Sequence, residues 1–252
     1  MDELQSEFVK YQLILDNYYD RKERIYRRSR EIAIESKRII FLLHRPKQLD
    51  SGWIKEAESR LQRLRDTDIL SLAKELKDED YSMFQGSYCF GLQEYVEALL
   101  FFCFLTKRSI VTLEDVRQLL TYTDDKCGDC LFLQVTIDDY VAAVSDFGGE
   151  LTRFILNAVA SGSDADLDRL CHLMQRLFIC LNVLPYKKHC FTSKLHQFRA
   201  SVRKVEKARF LLYLRCAERK QFSFVNWLPS LGIRCHHFLP RDAEMPKEED
   251  SE

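Results

Sequence analysis

Apolar side chains recur every three or four positions along most of the chain, which is the spacing of one face of an α-helix. The pattern breaks only at a few short stretches that contain Pro, Gly, Ser or Asp. The predicted helices span residues 2–45, 51–77, 80–107, 112–122, 136–160, 167–185 and 190–217. Short connections between long helices favour antiparallel neighbours. The sequence therefore predicts an all-α bundle of six or seven helices.

The pattern gives little support to β-structure. Residues 131–135, LFLQV, have a strand-like composition, but no second segment nearby could pair with them. Residues 123–131 form the clearest predicted loop. Within it, Cys127 and Cys130 have the spacing of a zinc-ligand pair, yet no second pair of Cys or His residues completes a tetrahedral site. We interpret them as loop thiols, and the cluster CHH at 235–237 is incomplete in the same way.

The third predicted helix differs from the others, because residues 92–105 are apolar on nearly every side. A helix of this kind is buried. Glu94 and Glu97 interrupt the apolar stretch, and their spacing places them on one face of the helix. A buried carboxylate must pair with a cation, bind a metal ion or take up a proton. Two interpretations follow: salt bridges to Lys or Arg, or a hard divalent cation such as Mg²⁺ or Mn²⁺.

A second pair of carboxylates, Asp146 and Glu150, lies in the predicted helix 136–160, again among apolar residues. Two glycines at 148–149 cost this helix about 1 kcal/mol each relative to Ala, which indicates close packing or room for a ligand. Helical bundles build metal sites from carboxylates on facing helices. Neither pair is accompanied by a His, which favours Mg²⁺ or Mn²⁺ over iron. Pairing of Glu150 with Arg153 is the alternative.

Composition limits the class of protein. Apolar residues make up 46% of the chain and charged residues 31%, which excludes a largely disordered protein. No apolar run reaches the ~18 residues needed to span a bilayer, and the start of the chain lacks the features of a secretory signal. The nine cysteines are scattered, mostly within apolar helical patterns, so we interpret them as free thiols in a reducing compartment.

Charge is unevenly distributed although the formal net charge is only −1. Residues 21–47 contain ten Lys or Arg and three Glu. Such a segment is a solvated helix surface or a basic face that holds phosphates. Among these residues, Lys37 and Arg38 are our candidates for contacts with an RNA backbone.

Three segments resemble the translin-associated factor X branch of the translin family: GLQEYVEA at 91–98, ESKRIIFLLHR at 35–45 and DYVAAVSDFGGELTRFILNAVASGS at 139–163. Their order and spacing fit the family over residues 5–217. The resemblance implies a translin-like domain at 1–217, made of about seven antiparallel helices, and a divergent, partly disordered tail at 218–252.

The resemblance also implies a function. It predicts the catalytic subunit of an Mg²⁺-dependent endoribonuclease that works with translin in a barrel-like hetero-oligomer, cleaves single-stranded RNA, helps activate the RNA-induced silencing complex and acts in transfer-RNA processing. The family's two glutamates and one aspartate match Glu94, Glu97 and Asp146, and Glu150 is a fourth candidate ligand. A cytoplasmic location is expected, with the nucleus as a second compartment. The alternatives are a scaffold that stabilises translin and nucleic-acid binding, and a homo-oligomer active alone.

One departure from the family concerns the residues before GLQEYVEA. Where vertebrate relatives carry a His-Arg pair, this chain has Gln85 and Gly86. We therefore expect the mode of RNA binding to differ here, while the carboxylates match.

Overall fold

The computed structural model describes residues 2–45, 52–77, 79–123, 130–160, 167–185 and 189–227. Its helices are α1 (Asp2–Leu43), α2 (Gly52–Leu64), α3 (Leu70–Glu75), α4 (Tyr81–Lys107), α5 (Leu113–Leu119), α6 (Ile137–Ala160), α7 (Leu167–Asn182) and α8 (His189–Trp227). A π-helical segment, Arg65–Ile69, joins α2 to α3 without a break. When α2 to α3 is counted as one helix, the described residues form seven helices, and the predicted all-α class is confirmed.

The π-helical segment explains an irregularity in the apolar spacing of the second predicted helix. Leu61 and Leu64 are buried, but the next buried residue is Ile69, five positions after Leu64. A regular α-helix would place Asp68 on that side instead. The wider π-turn takes up one additional residue. As a result, Ile69 and Leu72 stay in the core.

Helix α4 forms the centre of the core. It packs along α1 on one side and against α6 on another, while α2 packs against α1 and α7 against α6. The largest side chains that α4 fully buries are Tyr88, Tyr95, Phe84 and Phe101. By length and composition α4 could also cross a membrane, and no other helix among the described residues could. Because 67% of its most apolar stretch is buried inside the protein, packing accounts for its composition.

The contact between α1 and α4 is close at Gly91. Its backbone N–H donates to Ser29 Oγ at 3.0 Å, and Ser29 Oγ donates to the carbonyl of Tyr88 at 3.2 Å. A Cβ atom at position 91 would lie 2.3 Å from the Ser29 carbonyl oxygen. The two helices can therefore approach this closely only because residue 91 has no side chain.

A small β-hairpin corrects the prediction that the chain has no strand pair. Strands β1 (Thr121–Thr123) and β2 (Cys130–Phe132) are antiparallel, with Tyr122 opposite Leu131. β1 also shortens the preceding helix, which ends at Leu119 and not at Tyr122. Strands of three residues are too short to show an alternating pattern, so periodicity could not reveal them.

The contacts divide the chain into a first compact unit, Met1–Val205, and a second unit that begins at Glu206. All contacts discussed below lie within the first unit. The predicted domain boundary at residue 217 stays a prediction.

Candidate functional site

The packing of α4 against α6 brings the two predicted carboxylate pairs into one cluster. Glu94 and Glu97 come from α4, and Asp146 and Glu150 come from α6. Glu97 is the most buried of the four, with only 7% of its surface exposed. Burial raises the pKa of Glu97 to about 8, and the charges of Asp146, Glu94 and Glu150 add to the shift. This electrostatic coupling indicates that the other three carboxylates lie near Glu97.

Two lysines pair with the cluster from other helices. Lys37 of α1 lies with its Nζ 2.9 Å from Glu94 Oε1. Lys194 of α8 donates from Nζ to Asp146 Oδ2 at 2.5 Å. Among the described residues, no cation forms an ion pair with Glu97, and the charge of Lys194 only partly offsets the rise in its pKa. The salt-bridge interpretation therefore holds for Glu94 and Asp146. It also holds for Glu150, whose Oε2 lies 3.8 Å from Arg153 Nη1, and it leaves Glu97 uncompensated.

A histidine also belongs to the cluster, which corrects the argument that no His accompanies the carboxylates. His44 Nε2 lies 2.6 Å from Glu150 Oε2, although the two residues are 106 positions apart. The His44 side chain is 5% exposed and its ring packs on Phe101, with centroids 4.6 Å apart. The hydrogen bond to His44 lowers the pKa of Glu150, with a smaller contribution from Arg153. The error arose because the sequence argument considered only neighbours along the chain.

A polar network beside the cluster fixes α4 relative to the start of α6. Gln93 donates from Nε2 to Asp139 Oδ1 at 3.0 Å, and Asp139 is 2% exposed. The backbone N–H of Thr136 donates to Asp139 Oδ2, and the backbone N–H of Asp139 donates to Thr136 Oγ1, which forms a capping box. Gln85 donates to both Asp139 and Thr136 at 3.4 Å. The residue at 85 thus supports the helix start, a role the sequence did not predict.

The chemistry of the cluster fits a hard divalent cation. Its donors are carboxylate oxygens, which Mg²⁺ and Mn²⁺ prefer, and one of them is buried in a place that disfavours its own charge. In the part of the chain that the structure describes, however, no three His, Cys, Asp or Glu side chains stand close enough together to coordinate one ion. The donor types suit such an ion, but their spacing does not form a coordination site, so the metal site and its ligands stay predictions.

The two predicted RNA-binding residues face different neighbours. Lys37 lies over the ring of Phe90 at 5.1 Å and reaches Glu94, so it belongs to the cluster. Arg38 is exposed and pairs with Glu35 at 3.4 Å. Lys37 therefore lies at the cluster and Arg38 pairs elsewhere, and the RNA-binding role of both residues stays a prediction.

The remaining cysteine candidates carry no site among the described residues. Cys130 is exposed on β2 with a free thiol, and Cys127 lies outside the described residues. The segment 235–237 lies outside them as well.

The fold and the cluster define an all-α protein in which two central helices bring three further carboxylates near the buried Glu97. The Translin family model matches residues 20–216, and the chain belongs to this family. It is 35% identical to Translin-associated protein X of Rattus norvegicus, over 84% of this chain and 79% of that protein. The Translin-associated protein X homolog of Schizosaccharomyces pombe is 30% identical, over 86% of this chain and 91% of the yeast protein. Translin of Homo sapiens is 26% identical over 59% of this chain.

Solved structures share the fold. The crystal structure of apo-NeC3PO superimposes with a TM-score of 0.62 and 22% identity, covering 82% of this chain and 96% of that chain. The AfC3PO–duplex RNA complex gives a TM-score of 0.62 and 19% identity, covering 83% of this chain and 97% of that chain. The predicted translin-like bundle is thereby confirmed.

Proposed function

We propose that this chain is the catalytic subunit of an Mg²⁺-dependent endoribonuclease that cleaves single-stranded RNA together with a translin chain. The observation that carries the proposal is Glu97, a carboxylate buried beside three others and without a cation partner among the described residues. A buried acidic group without compensation is costly, so such groups are retained mainly where they have a function. Membership of the Translin family supports the same activity.

Glu94, Glu97 and Asp146 would hold the ion, with Glu150 as a fourth ligand or a hydrogen-bonding support. When bound, Mg²⁺ supplies positive charge beside the scissile phosphate and makes water a better nucleophile. His44 holds Glu150 in one orientation through the hydrogen bond at 2.6 Å. Attack by water at phosphorus with loss of the 3′-oxygen leaves a 5′-phosphate and a 3′-hydroxyl.

Lys37 has a defined role in this proposal. Its Nζ lies 2.9 Å from Glu94, and 59% of its side chain is exposed. An ammonium group at the rim of a carboxylate cluster can leave its carboxylate and bind an arriving phosphate oxygen. We therefore expect the Lys37 ammonium group to leave Glu94 and bind a phosphate oxygen of the RNA backbone when the ion and the substrate bind.

The partner in the proposal is a translin chain, and α1 offers it a surface. We call Leu4, Phe8, Tyr11 and Leu15 the amino-terminal stripe. They recur every three or four residues, and each is at least 52% exposed. A monomeric protein rarely exposes a contiguous apolar surface of this kind. Covering the stripe with a partner helix would remove it from water.

The catalytic test uses the chain co-expressed with its translin partner. Glu94→Gln, Glu97→Gln and Asp146→Asn preserve side-chain volume and remove the charge. Each change should reduce Mg²⁺-dependent cleavage of single-stranded RNA by at least about 100-fold, because each removes a ligand. Glu114→Gln, at an exposed position of α5, is the control. If cleavage survives all three changes, the assignment is wrong.

The pH dependence of stability that Glu97 causes offers a test of metal binding that does not involve cleavage. Its pKa rises from 4.5 to about 8 on folding, so the folded chain keeps a proton that the unfolded chain releases. This contribution to stability is complete below about pH 4.5 and is lost as the pH rises through about 8. The Tm of the complex should therefore fall over this interval, and less steeply with Mg²⁺. Glu97→Gln should abolish the difference, and a profile that Mg²⁺ does not change would contradict the metal assignment.

The second candidate is a non-catalytic scaffold that stabilises translin. The ion pairs of Lys37 with Glu94, of Lys194 with Asp146 and of Arg153 with Glu150 favour it, because they compensate three of the four charges without a metal. In that case Mg²⁺ leaves the Tm unchanged, and the complex binds RNA without cleaving it. A role in RNA silencing and a cytoplasmic or nuclear location belong to the first proposal and depend on its outcome.

A further inference from the structure

A basic groove lies between α1 and α2, next to the carboxylate cluster. Its volume is about 330 Å³, and its lining includes Lys37, Arg38, Arg45, Arg60, Glu56 and Phe41. Four cations therefore face one carboxylate. A volume near the lower end of the ~300–1,000 Å³ usual for small-molecule sites suits a single nucleotide better than a duplex.

The cations of the groove are only partly neutralised. Arg60 pairs with Glu56 at 2.9 Å and approaches Glu35 at 3.6 Å, and Arg38 shares Glu35. Among the residues that the structure describes, Arg45 has no carboxylate partner. The groove thus keeps a positive charge that an anion can occupy, with Arg45 as its most available donor.

An exposed aromatic ring lies within this basic surface. Phe41 is 59% exposed and lies one turn after Lys37 on the same face of α1. Arg45 follows two residues after the helix ends and lines the same groove. Cations that follow a phosphate backbone, combined with an aromatic ring on which a base stacks, are the combination that binds single-stranded nucleic acid.

Lys37 connects the groove with the carboxylates. It lines the groove, and its Nζ lies 2.9 Å from Glu94 Oε1 and 5.1 Å from the centroid of Phe90. A strand whose phosphate is bound by Lys37 would therefore place a neighbouring nucleotide in the groove.

We propose that this groove binds one nucleotide of single-stranded RNA adjacent to the bond that is cleaved. Arg45 and Arg60 contact the backbone phosphates, and the base stacks on Phe41. The proposal rests on the proposed function, since it names the subsite next to that catalytic cluster. The groove also gives RNA a route to the cluster that does not depend on residues 85–86, where this chain lacks the His-Arg pair of its vertebrate relatives.

The test measures binding of a fluorescent single-stranded RNA to the complex with translin, in EDTA so that no cleavage occurs. Arg45→Gln should lower the slope of log Kd against log salt by about 0.7, the value for one phosphate contact on a single strand. Phe41→Ala should weaken binding about tenfold and leave that slope unchanged, while Phe41→Trp should retain affinity. Arg27→Gln and Tyr26→Ala are the matched controls, both exposed on α1 and outside the groove.

Each outcome decides one point. If Arg45→Gln and Phe41→Ala change Kd and slope no more than their controls, the groove is not an RNA subsite. If duplex RNA loses as much affinity as the single strand, the groove serves a duplex and the proposal is also wrong. Cleavage with Mg²⁺ is assayed separately, so a complex that shows the Arg45 effect but does not cleave contradicts only the proposed function. Should Phe41→Ala lower the Tm, Arg45→Gln alone carries the test.

Discussion

The two halves of α1 carry the same apolar pattern but have different surroundings. Along the amino-terminal stripe, Leu4, Phe8, Tyr11 and Leu15 are spaced by three and four residues and are exposed. The same register continues into the second half, where Ile25, Ile32 and Ile39 are at most 1% exposed. Tyr18 lies at the transition and contacts Phe84, with ring centroids 5.3 Å apart.

The difference shows what apolar periodicity measures. It identifies the face of a helix that avoids water, but not the surface that covers that face. In the second half the cover is α4 and α2 of the same chain. For the amino-terminal stripe, we propose that the cover is the translin partner. Substitutions in the two halves of α1 separate folding from assembly.

The largest effect on folding is expected in the buried half. Ile39→Ala should lower the free energy of unfolding by about 2–5 kcal/mol, because it leaves a cavity where the side chain is fully buried. Ile34→Ala, at a position of the same helix that is 48% exposed, is the matched control and should cost less than about 1 kcal/mol. Urea unfolding of the complex measures both. Equal losses would mean that the burial of α1 does not determine its stability.

A smaller loss is expected where α1 meets α4. Gly91→Ala should cost about 1–3 kcal/mol, since the added Cβ would lie 2.3 Å from the Ser29 carbonyl oxygen and force the helices apart. Gly86→Ala on the same helix meets nothing within 4 Å and should stabilise by up to ~1 kcal/mol. Thermal unfolding should give opposite signs for the two changes. If Gly91→Ala left the free energy of unfolding unchanged, α4 could move away from α1 without cost.

The smallest effect on folding is expected in the amino-terminal stripe. Leu15→Ser should change the free energy of unfolding by less than about 0.5 kcal/mol, because the side chain is 52% exposed. It should nevertheless weaken assembly with translin about tenfold, which sedimentation or mass photometry can measure. Leu13→Ser, on the opposite face and 59% exposed, is the control. Equal assembly of both variants would exclude the stripe as the partner surface.

Much of this architecture follows from local pattern. The break after α1 is marked by Pro46. The capping box at Thr136 and the apolar environment of Glu97 are also legible in the sequence, because each depends on residues a few positions apart. The convergence of Glu97 with Asp146 could be anticipated from two unusual helices, although their role as metal ligands stays a prediction.

Contacts between distant segments could not be predicted in this way. His44 and Lys194 reach the cluster from α1 and α8, and neither is unusual in its own sequence context. His44 had one signal, its position directly after the apolar run that ends α1. Lys194 had none. The hairpin of β1 and β2 was missed because strands of three residues are too short to show an alternating pattern and form through their contacts with each other and with the helices.

The π-helical segment Arg65–Ile69 has a consequence for how this helix tolerates changes in length. The Arg65 carbonyl accepts from the backbone N–H of Leu70 and also from the Tyr122 hydroxyl at 2.8 Å. The Arg65 side chain donates to the carbonyl of Leu119. Loss of Asp68 would restore ordinary α-helical spacing between Leu64 and the isoleucine that follows. Relatives one residue shorter here can therefore keep the same core, and would differ in how the β-hairpin is attached.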